Sequence, residues 1–167
     1  MKTKLALTLL AIAPVYVLAG GNHAGHDMSS MQHDMAGMHS QDHESEAGKA
    51  GDPSKVTRTI EITMDDSMRF TPEKVNVKVG ETVRFFVKNS GKVQHEMVIG
   101  TTAELREHAE MMRKMPGMQH ADANMVALAP GKRGGIVWQF TQSGQYEFAC
   151  LIPGHLDSGM KGVIKVE

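Results

Sequence analysis

The stretch Cys150-Leu151-Ile152-Pro153-Gly154-His155-Leu156-Asp157-Ser158-Gly159-Met160 holds a thiol, an imidazole and a thioether, each separated from the next by four residues. One loop following a strand can fold all three around a single metal ion. A second imidazole must come from elsewhere, and His95 stands at the start of an earlier strand-like run. Two imidazoles and one thiolate in a plane, with a weak axial thioether, suit copper that changes oxidation state. Thiolate and thioether stabilise Cu(I), imidazoles support Cu(II), and a preformed ligand set lets both share one geometry. The metal would deprotonate the thiol and so protect it. Each residue also has a plainer reading. Cys150 as a buried structural thiol, His95 as a satisfied strand-end histidine and Met160 as core filler all remain open at this point.

Upstream of that loop the chain alternates. Val56–Met64 reads Val-Thr-Arg-Thr-Ile-Glu-Ile-Thr-Met, the period-two pattern of a half-buried strand. Lys74–Val79 repeats it, and Gly80-Glu81 supplies a turn before Thr82–Lys88, so the two runs are expected to form a hairpin. His95–Ile99, Gly135–Phe140, Gln145–Cys150 and Gly162–Val166 complete seven short strands with Gly or Pro between them. Many short strands punctuated by turns indicate an all-β sandwich or barrel. Thr101–Met115 is the exception. Thr101-Thr102-Ala103-Glu104 has the form of a capping box, and Pro116-Gly117 stops the run, so a helix is inserted between two strands.

The residues before Val56 do not read as part of this fold. Lys2 and Lys4 precede the nearly unbroken apolar run Leu5–Leu18, and Val17-Leu18-Ala19 offers small residues for cleavage, so residues 1–19 are expected to be a secretory signal peptide. The run is short of the roughly 20 residues of a spanning helix, and Gly20-Gly21 stands where a lipoprotein needs Cys. The mature protein is therefore expected to be exported, periplasmic and without a membrane anchor. Residues 20–55 show neither helical nor strand periodicity, and Leu, Ile, Phe and Trp are absent until Ile60. A segment that buries so little apolar surface cannot offset its ordering entropy, so a disordered tail is expected there. It carries His23, His26, Met28, Met31, His33, Met35, Met38, His39 and His43. Methionines in a non-folding tail have no packing role. Imidazole and thioether together accept copper in either oxidation state, the alternative being a solvated polar linker.

Composition sharpens the choice. The chain has 167 residues, 14 Met and a single Cys, and its formal charge is -1. That length allows one domain with extensions. Loss of Lys2 and Lys4 leaves 16 basic against 19 acidic residues, with no basic surplus for a nucleic-acid partner. One Cys excludes an internal disulfide framework and a structural zinc site built on several thiolates. Within the inserted helix, His108, Met111 and Met115 share one face, while Leu105, Ala109 and Met112 form a packing face. Met118, His120 and Met125 follow. A second, Cu(I)-preferring site there, using His108, Met111, Met115, Met118 and His120, is weighed against a Met-rich helix that merely packs. Met64, Met68 and Met97 are expected to be packing residues.

From Val56 to Glu167 the chain resembles the cupredoxins. Gly144-Gln145-Tyr146-Glu147-Phe148-Ala149-Cys150 is similar to that family's last strand entering the copper loop, Pro153-Gly154-His155 to its common turn, and Gly159-Met160-Lys161-Gly162-Val163-Ile164 to its exit. With its His/Met-rich N-terminal stretch, the ensemble most resembles the bacterial periplasmic copper-resistance cupredoxins. The resemblance implies a Greek-key β-sandwich over residues 56–167, with a helical Met-rich insertion at about 101–125. It also implies copper as cofactor, with His95, Cys150, His155 and Met160 as ligands. One position departs from the pattern. Many cupredoxins have Asn after the first ligand His, where it ties the two ligand loops together, and here Glu96 stands instead. A carboxylate at that place is expected to alter the surroundings of the copper.

Two functions fit. A copper-tolerance protein that binds, buffers or redox-cycles copper uses every soft ligand in the chain. A small blue-copper electron carrier needs only the sandwich site and a redox partner protein, and leaves the tail and the Met helix idle. The first is the preferred reading, with copper ions as the principal partner and a copper-transfer or redox protein as a further one. An enzyme is not expected. A Cu(I) oxidase is the weakest alternative, because multicopper oxidases need further His-rich motifs, and a binuclear centre needs a second Cys in the loop.

Overall fold

The structure, a computed structural model, describes residues 45–115 and 121–167. Ten strands and one α-helix follow in order among the described residues: β1 (Lys49–Ala50), β2 (Arg58–Asp65), β3 (Arg69–Thr71), β4 (Lys74–Val77), β5 (Thr82–Asn89), β6 (His95–Gly100), α1 (Thr102–Lys114), β7 (Met125–Leu128), β8 (Arg133–Gln139), β9 (Gly144–Ala149) and β10 (Lys161–Val166). They form two five-stranded sheets, β1-β8-β5-β2-β3 and β4-β10-β9-β6-β7. The inner faces carry the alternating apolar residues that the sequence pattern requires. Ile62, Met64, Val83, Phe85, Val87, Ile136 and Trp138 from one sheet meet Val75, Val77, Met97, Ile99, Phe148 and Ile164 from the other. Phe70 and Phe148 pack edge to face across the core at 5.0 Å between ring centroids. Met64 and Met97 are fully buried and Met68 packs half-buried against the same cluster, as expected of packing residues.

All seven strands read from the alternation are present, to within a few residues at their ends. One pairing is different. β4 and β5 are not a hairpin, because β4 pairs in parallel with β10 while β5 pairs in parallel with β2 and antiparallel with β8. The turn between them is a corner where the chain changes sheet. Its backbone is held by Gly80 N–H donating to the Phe140 carbonyl at 2.7 Å and Val79 N–H to the Glu167 carbonyl at 3.1 Å. Period two assigns faces but not partners, so the corner is invisible to it.

The N-terminal boundary also moves. Residues 45–55, placed in the tail by their composition, belong to the sandwich. Lys49 and Ala50 pair with Gln139 and Trp138, Ala47 is 1% exposed, and the Ala47 carbonyl accepts from the Trp138 indole N–H at 3.2 Å. Backbone pairing and a buried alanine supply the order that side-chain hydropathy alone does not signal. The rest of the expected tail (20–44) and the signal peptide (1–19) lie outside the described residues.

Helix α1 starts as expected. Thr101 caps it, accepting from Glu104 N–H while the Glu104 carboxylate accepts from Thr101 N–H. Its buried face is Leu105 and Ala109, which cluster with Val98, Ala149 and Leu151. The helix therefore rests on the residue next to Cys150. Among the described residues, no helix is long and apolar enough to cross a membrane.

Candidate copper site

Three of the four expected ligands converge. One donor atom from each of His95, Cys150 and His155 lies within 4.8 Å of the other two. The Cys150 sulfur is 3.2 Å from His155 Nδ1, and the two imidazole centroids are 5.0 Å apart. His95, Cys150 and Met160 are fully buried, whereas His155 is partly exposed. The chain reaches this arrangement from two directions. His95 opens β6, and β9 runs beside β6 up to Ala149, so Cys150 emerges next to it.

The loop from Cys150 to Met160 is closed at its neck. Cys150 N–H donates to the Met160 carbonyl and Met160 N–H to the His155 carbonyl, each at 3.1 Å. Inside it, His155 N–H donates to the Ile152 carbonyl at 3.0 Å, and Gly154 takes φ +88°, where a side chain would be strained. Arg69 braces the outside by donating to the Ser158 carbonyl at 2.9 Å. Backbone hydrogen bonds thus hold the loop that carries Cys150, His155 and Met160.

The donor set fits copper. Burial pushes the Cys150 thiol up to about 12, against the pull of N–H groups of Glu96 and Ile152, so a metal held by this sulfur would have to displace the thiol proton. Burial, and then repulsion from His95, hold His155 below the ordinary imidazole value, which favours the neutral ring that binds metal. His95 Nδ1 is the one buried side-chain nitrogen or oxygen without a hydrogen-bond partner among the described residues. An orphan of this kind asks for an explanation, and a metal ion supplies it.

Two carboxylates complete the surroundings. Glu96, flagged by sequence as a departure, still ties the two ligand segments together: its Oε1 accepts from Leu151 N–H at 2.9 Å, and its own N–H donates to the Cys150 sulfur at 3.5 Å. Asp66 was not singled out by sequence. It sits between β2 and β3, and its Oδ1 lies 3.1 Å from His95 Nε2. Only the fold brings these two together, although an Asp-Asp pair between two strand patterns marks the turn that carries it.

Of the expected accessory ligands, His108 and Met111 lie on α1 and Met115 is the residue that caps its C-terminus. His108 and Met111 are half-buried and Met115 is 42% exposed. Met112, expected on the packing face, is only half-buried. Met118 and His120 lie outside the described residues, as do His23, His26, Met28, Met31, His33, Met35, Met38, His39 and His43 of the tail.

A Greek-key-like sandwich with His, Cys and His gathered at one end, and a Met closing the same loop, defines a small copper-binding protein. The chain belongs to the plastocyanin/azurin family of copper-binding proteins, the family that matches residues 56–167. It is 48% identical over 158 residues to the copper-resistant cuproprotein CopI of Rubrivivax gelatinosus, covering 95% of this chain and 94% of that one. It is 33% identical over 159 residues to CopI of Vibrio cholerae, covering 92% and 94%. Among solved structures it is similar to dithionite-reduced auracyanin of Roseiflexus castenholzii, with a TM-score of 0.58 and 26% identity over 67% of this chain and 98% of that one. The protein is thus a copper-binding cupredoxin related to copper-resistance CopI, and copper is its cofactor.

Proposed function

We propose that this protein serves copper tolerance in the periplasm, binding and redox-cycling copper at His95, Cys150, His155 and Met160. The observation that carries the reading is the buried, unpartnered Nδ1 of His95 on a ring gathered with a buried thiol and a second imidazole. Similarity to CopI over nearly the whole length supports the tolerance role. In this reading Cys150 would hold copper as a thiolate, His95 and His155 as imidazoles, and Met160 as a thioether. Residues 1–19 export the chain. The tail residues, with His108, Met111, Met115, Met118 and His120, hold further copper and load or unload the central site.

Visible absorption of the copper-loaded chain tests the centre. A strong thiolate-to-Cu(II) band is expected in the wild type and not in Cys150→Ser. A Cys150→Ser protein with the same band sinks the assignment. Deletion of the gene tests the role: growth loss confined to copper excess supports tolerance.

The partly exposed His155 favours a second reading, since a ligand edge at the surface gives electrons a way in and out. A small electron carrier predicts a respiratory defect without added copper, and that result overturns the tolerance reading.

A further inference from the structure

We propose that Asp66 is a positioning residue of the copper centre, fixing His95 with Nδ1 free for the metal and biasing the bound ion toward Cu(II). This inference rests on the copper centre described above. His95 is completely buried, and Asp66, whose side chain is 38% exposed, reaches its Nε2 at 3.1 Å. A carboxylate accepts only, so in the neutral ring Nε2 carries the hydrogen and Nδ1 is left bare. The bare atom is the buried nitrogen without a hydrogen-bond partner, on the ring grouped with Cys150 and His155.

The carboxylate is itself held. Its Oδ2 accepts from Lys92 N–H at 2.7 Å, and Oδ1 is 3.4 Å from Val93 N. Both donors belong to the connection between β5 and β6, immediately before His95. Asp66 therefore ties the ligand ring and the loop that delivers it to the same point on the β2–β3 connection. The close approach depends on Gly91, where an added Cβ would stand 2.0 Å from Asp66 Oδ1.

The chemical consequence follows from charge. A carboxylate on the outer nitrogen strengthens the inner nitrogen as a donor and orients the ring. The added electron density favours the doubly charged ion over the singly charged one. Asp66 thus acts on the redox balance through His95 without touching copper.

The test compares the mature wild type with Asp66→Asn and Asp66→Ala. Cu(II) and Cu(I) affinities and the midpoint potential are read for each. The His95 ring tautomer is read by nitrogen NMR on the metal-free wild type at alkaline pH. Asp66→Ala is expected to lose about 10-fold or more in Cu(II) affinity, with a smaller change for Cu(I), so its potential rises. Asp66→Asn keeps an acceptor for Nε2–H but loses the charge; the tautomer survives while the potential still rises. An unchanged potential and Cu(II) affinity in Asp66→Ala, or a proton on Nδ1 in the wild type, overturns the proposal. The tautomer reading needs no variant, so it decides even where Asp66→Ala does not fold. Absence of the thiolate band in the wild type overturns the copper centre itself, whereas a normal band with a potential indifferent to Asp66 overturns this inference alone.

Discussion

Glu96 and Leu151 stand opposite each other just where the β6–β9 ladder ends, and the Glu96 carboxylate accepts the Leu151 N–H at 2.9 Å. The paired register stops at Val98 and Ala149. Beyond it the backbone groups lack ladder partners and must be satisfied otherwise. The Glu96 side chain restores one partner for Leu151, and its backbone N–H turns to the Cys150 sulfur at 3.5 Å. A carboxylate thus ties the two ligand segments together where the resemblance to cupredoxins implies Asn.

Removing that acceptor leaves the N–H of a residue only 1% exposed without its partner. Glu96→Ala is expected to cost about 1–3 kcal/mol, the penalty for a buried unsatisfied donor. Glu96→Gln keeps an oxygen at the same reach and is expected to retain most of the stability. Denaturant unfolding of the metal-free proteins checks both. Equal midpoints for Glu96→Ala and the wild type contradict the tie.

Gly91→Ala offers an independent look at the Asp66–His95 contact. Its Cβ would fall 2.0 Å from Asp66 Oδ1 and 3.1 Å from His95 Nε2, so the carboxylate must swing away. The variant is expected to weaken Cu(II) binding in the same direction as Asp66→Ala, although Asp66 itself is intact. The effect should be absent in an Asp66→Ala background, because the two changes act on one contact. Additive losses in the double variant would show that Gly91 acts otherwise.

What the sequence revealed and concealed follows from the range of each interaction. Cys150, His155 and Met160 lie in one short loop, so their spacing alone announces a common ion. The strands on either side alternate cleanly, Val83, Phe85 and Val87 inward with Arg84, Phe86 and Lys88 outward, and are legible for that reason. β3 and β7 are three and four residues long, too short for a period to register. The corner between β4 and β5 has a hairpin's turn residues but a different fate, decided by contacts to Phe140 and Glu167 far along the chain. Asp66 is 29 residues from His95, and nothing local distinguishes it from any turn aspartate.

The revised N-terminal boundary predicts how truncations behave. A chain beginning at Ser45 is expected to unfold at the same denaturant concentration as the mature protein. One beginning at Val56 loses Ala47, whose carbonyl satisfies the Trp138 indole, together with the β1–β8 pairing. An unsatisfied buried indole N–H alone costs about 1–3 kcal/mol. Trp138 is the only tryptophan, so its fluorescence reports the site directly and should shift on losing its partner. Identical emission and stability for the two truncated chains contradict the boundary at residue 45.

Glu104 links the same N-terminal segment to the helix and makes that link sensitive to acid. Its Oε1 accepts from Glu46 N–H at 3.0 Å, while Oε2 accepts from Thr101 N–H at 2.7 Å and from the Ser45 hydroxyl at 3.0 Å. Burial, the largest single influence, pushes its carboxyl up. The hydrogen bonds from Thr101, Glu46 and Ser45 together outweigh it and hold the group below its ordinary 4.5. A carboxyl lowered by folding adds stability above its unfolded value, and that stability is lost as pH falls through the folded one. The contribution is therefore complete at neutral pH and disappears as the solution is acidified below about 4.5, the ordinary value for this group. Exposure and screening keep it small, under about 1 kcal/mol. Glu104→Gln should be less stable than the wild type at pH 7 and converge with it as pH falls well below 4.5, as read by thermal unfolding of metal-free protein. A difference that persists undiminished in acid would mean that the carboxylate's charge has no part in holding Ser45 and Glu46 to the helix.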